Sequence, residues 1–288
     1  MKRNERTFIL LTLPGLILYS LFYVFPALSG IFYSFTNWNG LDRTFKFIGA
    51  RNYVKVLRDS RALNSFIFNL RYSAMLVVSV LLLSTLLALL LDSRIRLRKV
   101  FKSIYFFPAV LSLITVGLVW EQIFYYVMPE IGKALGIPLL TQSILSTGKT
   151  AIFGVLIVNL WQGLAVPTVL LLAGLQAIPQ ELREAAAIDG SSGARTFFHI
   201  TFPYLVPIYN LVFVLALRDG LTVFDYILAM TQGGPGRATE SLGLLIFNHA
   251  FREMKFSYAV TESVLLALVF SLISLAQMRL LDAKGASV

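Results

Sequence analysis

Cysteine is absent from all 288 residues. No disulfide, thiolate metal site or cysteine nucleophile can be built, and cysteine usage leaves the redox compartment open. Charge is scarce as well. Only 14% of residues are Asp, Glu, Lys or Arg, against about 25% in soluble domains. Histidine occurs twice, at His199 and His249, too far apart in sequence to suggest a shared metal site. A Gly-x-Ser-x-Gly elbow is also missing, so no residue constellation points to an enzyme.

What is present is apolar: 57% of residues are hydrophobic and 13% aromatic. Six segments reach the roughly 20 residues needed to cross a bilayer, near 8–35, 66–91, 104–124, 151–174, 204–229 and 259–281. The fold class expected is all-α, a polytopic integral membrane protein with six transmembrane helices forming one domain over 1–288. An even count puts both termini on one side. Pro14 and Pro26 should kink the first span, and neighbouring helices should re-satisfy the freed carbonyls. That first run is too long for a signal-peptide core and is read as a retained span. The formal charge of +10 sits mostly in short stretches between apolar runs. It points to anionic lipid headgroups and not to nucleic acid.

Sidedness follows from density more than from totals. Three of the first six residues are basic, as are five of the nine from Arg94 to Lys102. Dense clusters beside a span mark the cytoplasmic side. Both termini and the 92–103 and 175–203 loops are therefore expected in the cytoplasm, and His199 and His249 on opposite sides of the membrane.

The most polar interval of the second half is Glu181 to Pro207. It reads as two short helices joined at a glycine. Pro179 suits a first helical position, and Glu181 suits a first turn. Leu182, Ala185, Ala186 and Asp189 share a face. Gly190 marks a stop, Ser191 or Ser192 can cap a second helix, and Pro203 is expected to end it. Glu184-Ala185-Ala186, Gly190, Ile200 and Pro203 together resemble the EAA loop, EAA-x3-G-x9-I-x-L-P, of membrane subunits of binding-protein-dependent ABC importers. Phe202 stands where that family usually has Leu. The resemblance implies a type I importer-like permease in which Glu184, Ala185, Ala186, Asp189, Gly190, Ile200 and Pro203 couple the chain to a cytoplasmic ATPase.

Other stretches extend the resemblance over about residues 47–275. Phe47-Ile48-Gly49-Ala50-Arg51-Asn52-Tyr53 resembles the F-x-G-L-x-N-Y element of sugar-importer permeases, with Ala50 for Leu. It implies docking of an extracytoplasmic binding protein, and it equally suits a folded interfacial segment. Phe224-Asp225-Tyr226, then Thr231 and Gly233-Gly234-Pro235, and further on Asn248-His249-Ala250-Phe251 with Tyr258-Ala259, match later family features. Gly148-Lys149-Thr150 resembles the end of a P-loop, but Ser143 occupies the first glycine position and no strand precedes it. The chain is therefore expected to bind no cofactor itself.

Polar residues within spans are costly and tend to face a cavity or a partner helix. Arg218, Asp219, Asp225, Asn210, Tyr209, Trp161, Gln162 and Glu121 are the candidates for a substrate path, with inter-helix pairing and packing as the alternative. Adjacent Arg218 and Asp219 should point about 100° apart, one to the path and one to a neighbour, with Asp225 on the face of Arg218. The resemblance implies carbohydrate import with a second homologous permease, two ATPase subunits holding ATP and Mg, and an extracytoplasmic binding protein, in a bacterial cytoplasmic membrane. A self-contained channel or ion-coupled secondary transporter is the alternative, and a membrane enzyme a more distant one.

Overall fold

The computed structural model describes residues 2–93 and 106–282. The dense basic cluster from Arg94 to Lys102, the start of the expected third span and Lys284 lie outside the described residues. Almost everything described is helical. A lone bridge between Thr36 and Phe47 is the β-pairing found there. The chain forms two compact units, one of residues 1–63 with 245–271 and the other of residues 64–244 with 272–288.

In the first unit, α1 (Lys2–Tyr19) passes through a π turn at Ser20–Val24 into α2 (Phe25–Ser34). Proline has no N–H and crowds the carbonyl four residues back. Here the wide turn makes room two residues ahead of Pro26, and Phe25 N–H bonds to Ser20 O instead. The same device recurs in the second unit before Pro129, where Ile123–Val127 is a π turn, and before Pro203, where Phe197–Thr201 is one. After α2, the 36–50 segment folds back through the Thr36–Phe47 bridge and a left-handed Gly40, φ +96°. It leads into α3 (Arg51–Arg58).

The second unit is built on α4 (Ser60–Asp92), α5 (Leu113–Gln122), α6 (Met128–Leu135), α7 (Gly148–Gly163) and α8 (Ala165–Ala177). Next come α9 (Gln180–Ile188), α10 (Gly193–Thr196), α11 (Phe202–Leu221), α12 (Asp225–Met230) and α13 (Leu242–Phe247). The last helix, α14 (Phe256–Asp282), belongs to the first unit as far as Ser271. Tyr72, Leu145, Leu171, Leu205, Ile227 and Leu244 are among the second unit's fully buried side chains. Where helices touch most closely, glycine is required. A Cβ on Gly220 of α11 would lie 2.6 Å from the Ser73 backbone of α4.

Among the described residues four stretches are long and apolar enough to span a membrane: Leu11–Ser34, Ser60–Asp92, Gly193–Met230 and Phe256–Gln277. A fifth arises if α7 and α8, bent by 48°, form one broken span. The bend has a local cause, because Pro167 cannot donate to the carbonyl of Gly163. The expected third segment begins outside the described residues. Its described part opens with a 3-10 turn at Phe107–Val110 and is α-helical from Leu113, through α5 and a π turn into α6. The expected count of six spans is therefore approximate, while the all-helical, multi-pass architecture holds.

One further break matters for the site. α11 stops at Leu221 and α12 starts at Asp225. Buried Asn69 of α4 holds the junction: its Nδ2 donates to Leu221 O at 2.6 Å, and its Oδ1 accepts Leu242 N–H at 2.8 Å. One side chain thus serves an orphan carbonyl at the end of α11 and an orphan N–H at the start of α13.

Candidate functional site

The Glu181–Pro207 interval forms the helix pair expected, with one change. α9 begins at Gln180, one residue after Pro179. Gly190 adopts φ +66°, and Ser191 N–H bonds to Ala186 O at 2.9 Å. That is a Schellman ending, which needs a residue in the left-handed region. Ser192 then caps α10, its Oγ accepting Arg195 N–H at 3.4 Å. Pro203 does not end this helix. The chain stays helical from Gly193 through the π turn and on to Leu221, because the wide turn absorbs the proline.

Most of the motif faces outward. Glu184, Ala185, Asp189 and Gly190 are exposed, Ile200 and Pro203 are partly to fully exposed, and Ala186 is buried. Glu184 Oε1 accepts from Gln180 Nε2 at 2.7 Å. Ile188, at the hairpin tip, is 86% exposed, an apolar cost that a covering partner would relieve. The hairpin is anchored to α8 and α11, which pack side by side. Leu205 is buried near Gly174, and Tyr204 OH donates to Ala177 O at 3.0 Å.

The other end of this helix pair borders a cavity of about 380 Å³, within the roughly 300–1,000 Å³ range of small-ligand sites. Val166 and Pro167 from α8 line it, as do Arg218 and Asp219 from α11 and Asp225 from α12. Two expectations are corrected here. Arg218 and Asp219 both border the cavity, because the last turn of a helix can present adjacent residues to an open space. Asp225 reaches it from a separate helix beyond the 222–224 break and not from the face of Arg218. Among the described residues no ion pair within 4.0 Å joins Arg218 to either carboxylate.

Gln162 also lines the cavity, but its amide is spent. Nε2 donates to Leu111 O and Oε1 accepts from Tyr226 OH, each at 2.8 Å. Tyr209, Asn210, Trp161 and Glu121 do not line it. Tyr209 OH pairs with Thr85 Oγ1 at 2.9 Å, Asn210 O accepts from Gln277 Nε2 at 3.4 Å, and Trp161 packs edge-on against Trp120. Sequence reasoning passed over Asn159, whose Nδ2 donates to Tyr72 OH at 2.9 Å, and Tyr226. Two signals could have found them. Asn159 lies three residues before Gln162 on one helix face, and Tyr226 sits inside the aromatic–Asp element.

The 47–53 element has a structural task. Asn52 is buried and donates to Ser34 O at 2.9 Å and Thr36 O at 2.8 Å, closing the end of α2. Tyr53 OH pairs with Ser34 Oγ at 2.7 Å. Nearby, Glu253 bonds Lys255 at 2.7 Å and Arg61 at 2.6 Å. The Lys255 hydrogen bond is the chief reason its carboxyl is held down to about 2. Burial alone would raise the Asp59 carboxyl, but bonds from Tyr258 OH and the N–H groups of Arg61 and Ala62 bring it below its usual value. His249 Nδ1 lies 2.9 Å from Glu262 Oε2. Among the described residues no group of three or more His, Asp or Glu side chains is arranged to hold a metal ion.

Comparison with known proteins gives a consistent answer. The family described as "Binding-protein-dependent transport system inner membrane component" matches residues 81–285. The multiple sugar-binding transport system permease protein MsmF of Streptococcus mutans is 43% identical over 265 residues, 92% of this chain and 91% of that protein. The trehalose/maltose transport system permease protein MalF of Thermococcus litoralis is 35% identical, over 86% of this chain and 84% of its own length. Among solved structures, a chain of a bacterial alginate ABC transporter in complex with an alginate pentasaccharide-bound periplasmic protein aligns with a TM-score of 0.85 at 19% identity. The alignment covers 99% of this chain and 97% of that one. At that identity the likeness establishes the fold.

Proposed function

We infer that this chain, which belongs to the family of binding-protein-dependent transport system inner membrane components, is the permease subunit of an ABC importer for carbohydrate. It is a multi-pass membrane protein and a transport subunit, not an enzyme. The substrate class rests on the sugar-transport relatives. The cavity chemistry is compatible with it, since Arg218, Asp219 and Asp225 are polar groups not paired with one another and able to meet hydroxyls.

The observation that carries the mechanism is the placement of the α9–α10 hairpin and the cavity at opposite ends of α8 and α11. A partner ATPase, binding ATP and Mg, grips the exposed Glu184, Ala185 and Ile188 surface from the cytoplasm. About 15 residues of helix separate Pro203 from Arg218, or roughly 22 Å at 1.5 Å per residue. A displacement of the hairpin reaches the cavity wall through that rigid pair and changes access to it. The assembly consists of this chain, a second homologous permease, two ATPase subunits and an extracytoplasmic binding protein. It lies in the bacterial cytoplasmic membrane with both termini inside.

Affinity purification followed by reconstitution tests this. An ATPase and a second permease should co-purify, and sugar uptake into vesicles should need both, together with ATP and the binding protein. Uptake by this chain alone without ATP would establish a self-contained carrier instead. In the assembled importer, Arg218→Ala with Asp219→Ala should lower uptake at least about tenfold while ATPase co-purification persists. Unchanged uptake would make both residues structural.

A further inference from the structure

A second cavity, about 840 Å³, opens in the first unit beside α3. Arg51, Lys55 and Arg58 line it from one helical face, at spacings of four and three residues, and Lys255 lines another part of its wall. The three α3 cations are exposed, and among the described residues none has a carboxylate within 4.0 Å. The polar groups around them are already engaged. Asn39 Oδ1 accepts the N–H groups of Leu41 and Asp42, both at 3.0 Å. Asn52 closes α2, and Asp59 binds Tyr258 OH at 2.8 Å. What the cleft has left to offer is positive charge. Beside it, Val54 and Leu57 are 47% and 62% exposed.

The ligand must therefore carry several negative charges and some apolar surface. The cations extend over about 10 Å of helix, seven residues at 1.5 Å each. A single sugar acid presents one carboxylate and cannot answer all three. A folded protein surface can carry acidic side chains at that spacing with apolar residues among them. We propose that this cleft seats an acidic lobe of the extracytoplasmic binding protein, its carboxylates meeting Arg51, Lys55 and Arg58. This rests on the importer reading, which supplies such a protein and puts residues 36–65 outside. It adds the residues, the sign of the charge and a salt dependence. Rim charges of this kind act mainly on encounter and on salt sensitivity.

The test uses the complete importer in vesicles. ATP hydrolysis is measured against increasing sugar-loaded binding protein, at low and at high salt. In the wild type, the half-saturating concentration should rise with salt. The triple variant Arg51→Glu, Lys55→Glu, Arg58→Glu should raise it about tenfold or more at low salt and flatten the salt response. The triple glutamine variant should fall between. Lys149→Glu, an exposed cation outside this unit, should leave the titration as in the wild type. Restoration of docking to the glutamate variant by acidic-to-lysine changes on the binding protein would confirm the pairing even if that variant is less stable. A salt-insensitive wild type, or an unchanged half-saturation in the triple variant, overturns the proposal. So does a variant effect that follows the phosphatidylglycerol content of the vesicle, which would assign the cleft to lipid. A wild type that no binding protein stimulates overturns the importer reading and this inference with it.

Discussion

Two short stretches carry family-like signatures, and they use them in opposite ways. In the 47–53 element Asn52 and Tyr53 turn inward while Phe47 and Ala50 stay exposed: Asn52 is 5% exposed and bonds two carbonyls at the end of α2, and Tyr53 bonds Ser34. In the 184–190 element Glu184, Ala185, Asp189 and Gly190 face solvent, with Ile188 at 86% exposure beside them. Buried amides that satisfy backbone groups maintain a shape. Exposed small residues on a capped hairpin leave a surface for another molecule to approach. A recurring motif therefore does not by itself mark a contact site. Here the first stretch secures its own loop through Asn52 and Tyr53, and the second leaves its small residues open to solvent.

The comparison can be broken by experiment. The largest effect is expected from Glu184→Lys: uptake and substrate-stimulated ATP hydrolysis should fall by about tenfold or more, with the thermal unfolding midpoint in detergent unchanged. The side chain is exposed, so its replacement costs little fold energy. Normal uptake would remove the coupling role. Asn52→Leu should act the other way. It leaves Thr36 O without this donor and Ser34 O with only Thr261 Oγ1 at 3.2 Å, a loss of about 1–3 kcal/mol, seen as a lower unfolding midpoint. A variant with full stability and no uptake would show that Asn52 acts in transport and not in shape.

The smallest effect concerns acid. Glu253 is held below its unfolded value, from 4.5 down to about 2. Its contribution is complete above pH about 4.5 and is lost as pH falls toward 2. Lys255→Ala should return the carboxyl toward its ordinary range and move the acid limb of unfolding to higher pH, with little change near neutrality. An acid limb that does not move would mean the Arg61 bond alone sets that carboxyl.

Much of the α9–α10 hairpin was legible because its signals are local. Gly190 at the turn, a serine cap and Glu181 in the first turn of α9 depend on a few neighbouring residues. The apolar runs were legible for the same reason. Less so was the effect of proline. Pro203 reads as a stop, yet a π turn carries the helix through it, while Pro167 bends a span that looked straight. The 222–224 break was hidden because the side chain that serves its freed carbonyl, Asn69, lies about 150 residues upstream. That break decides how Asp225 reaches the cavity. Periodicity extended α11 through it and so put Asp225 on the wrong helix. Of the eight path candidates, Arg218, Asp219, Asp225 and Gln162 border the cavity. Trp161 and Tyr209 resemble site residues in type but are held by packing partners that their neighbours in sequence do not reveal.

Asn69 also sets a timetable for synthesis. Its partners, Leu221 and Leu242, lie 152 and 173 residues further along the chain. A growing chain that has already inserted α4 carries this amide without its final partners until Leu242 has been made. Holding a bare amide in hydrocarbon costs several kcal/mol. During that interval water, lipid headgroups or another nascent segment must serve it, and α4 can take its final seat only once Leu242 has left the ribosome.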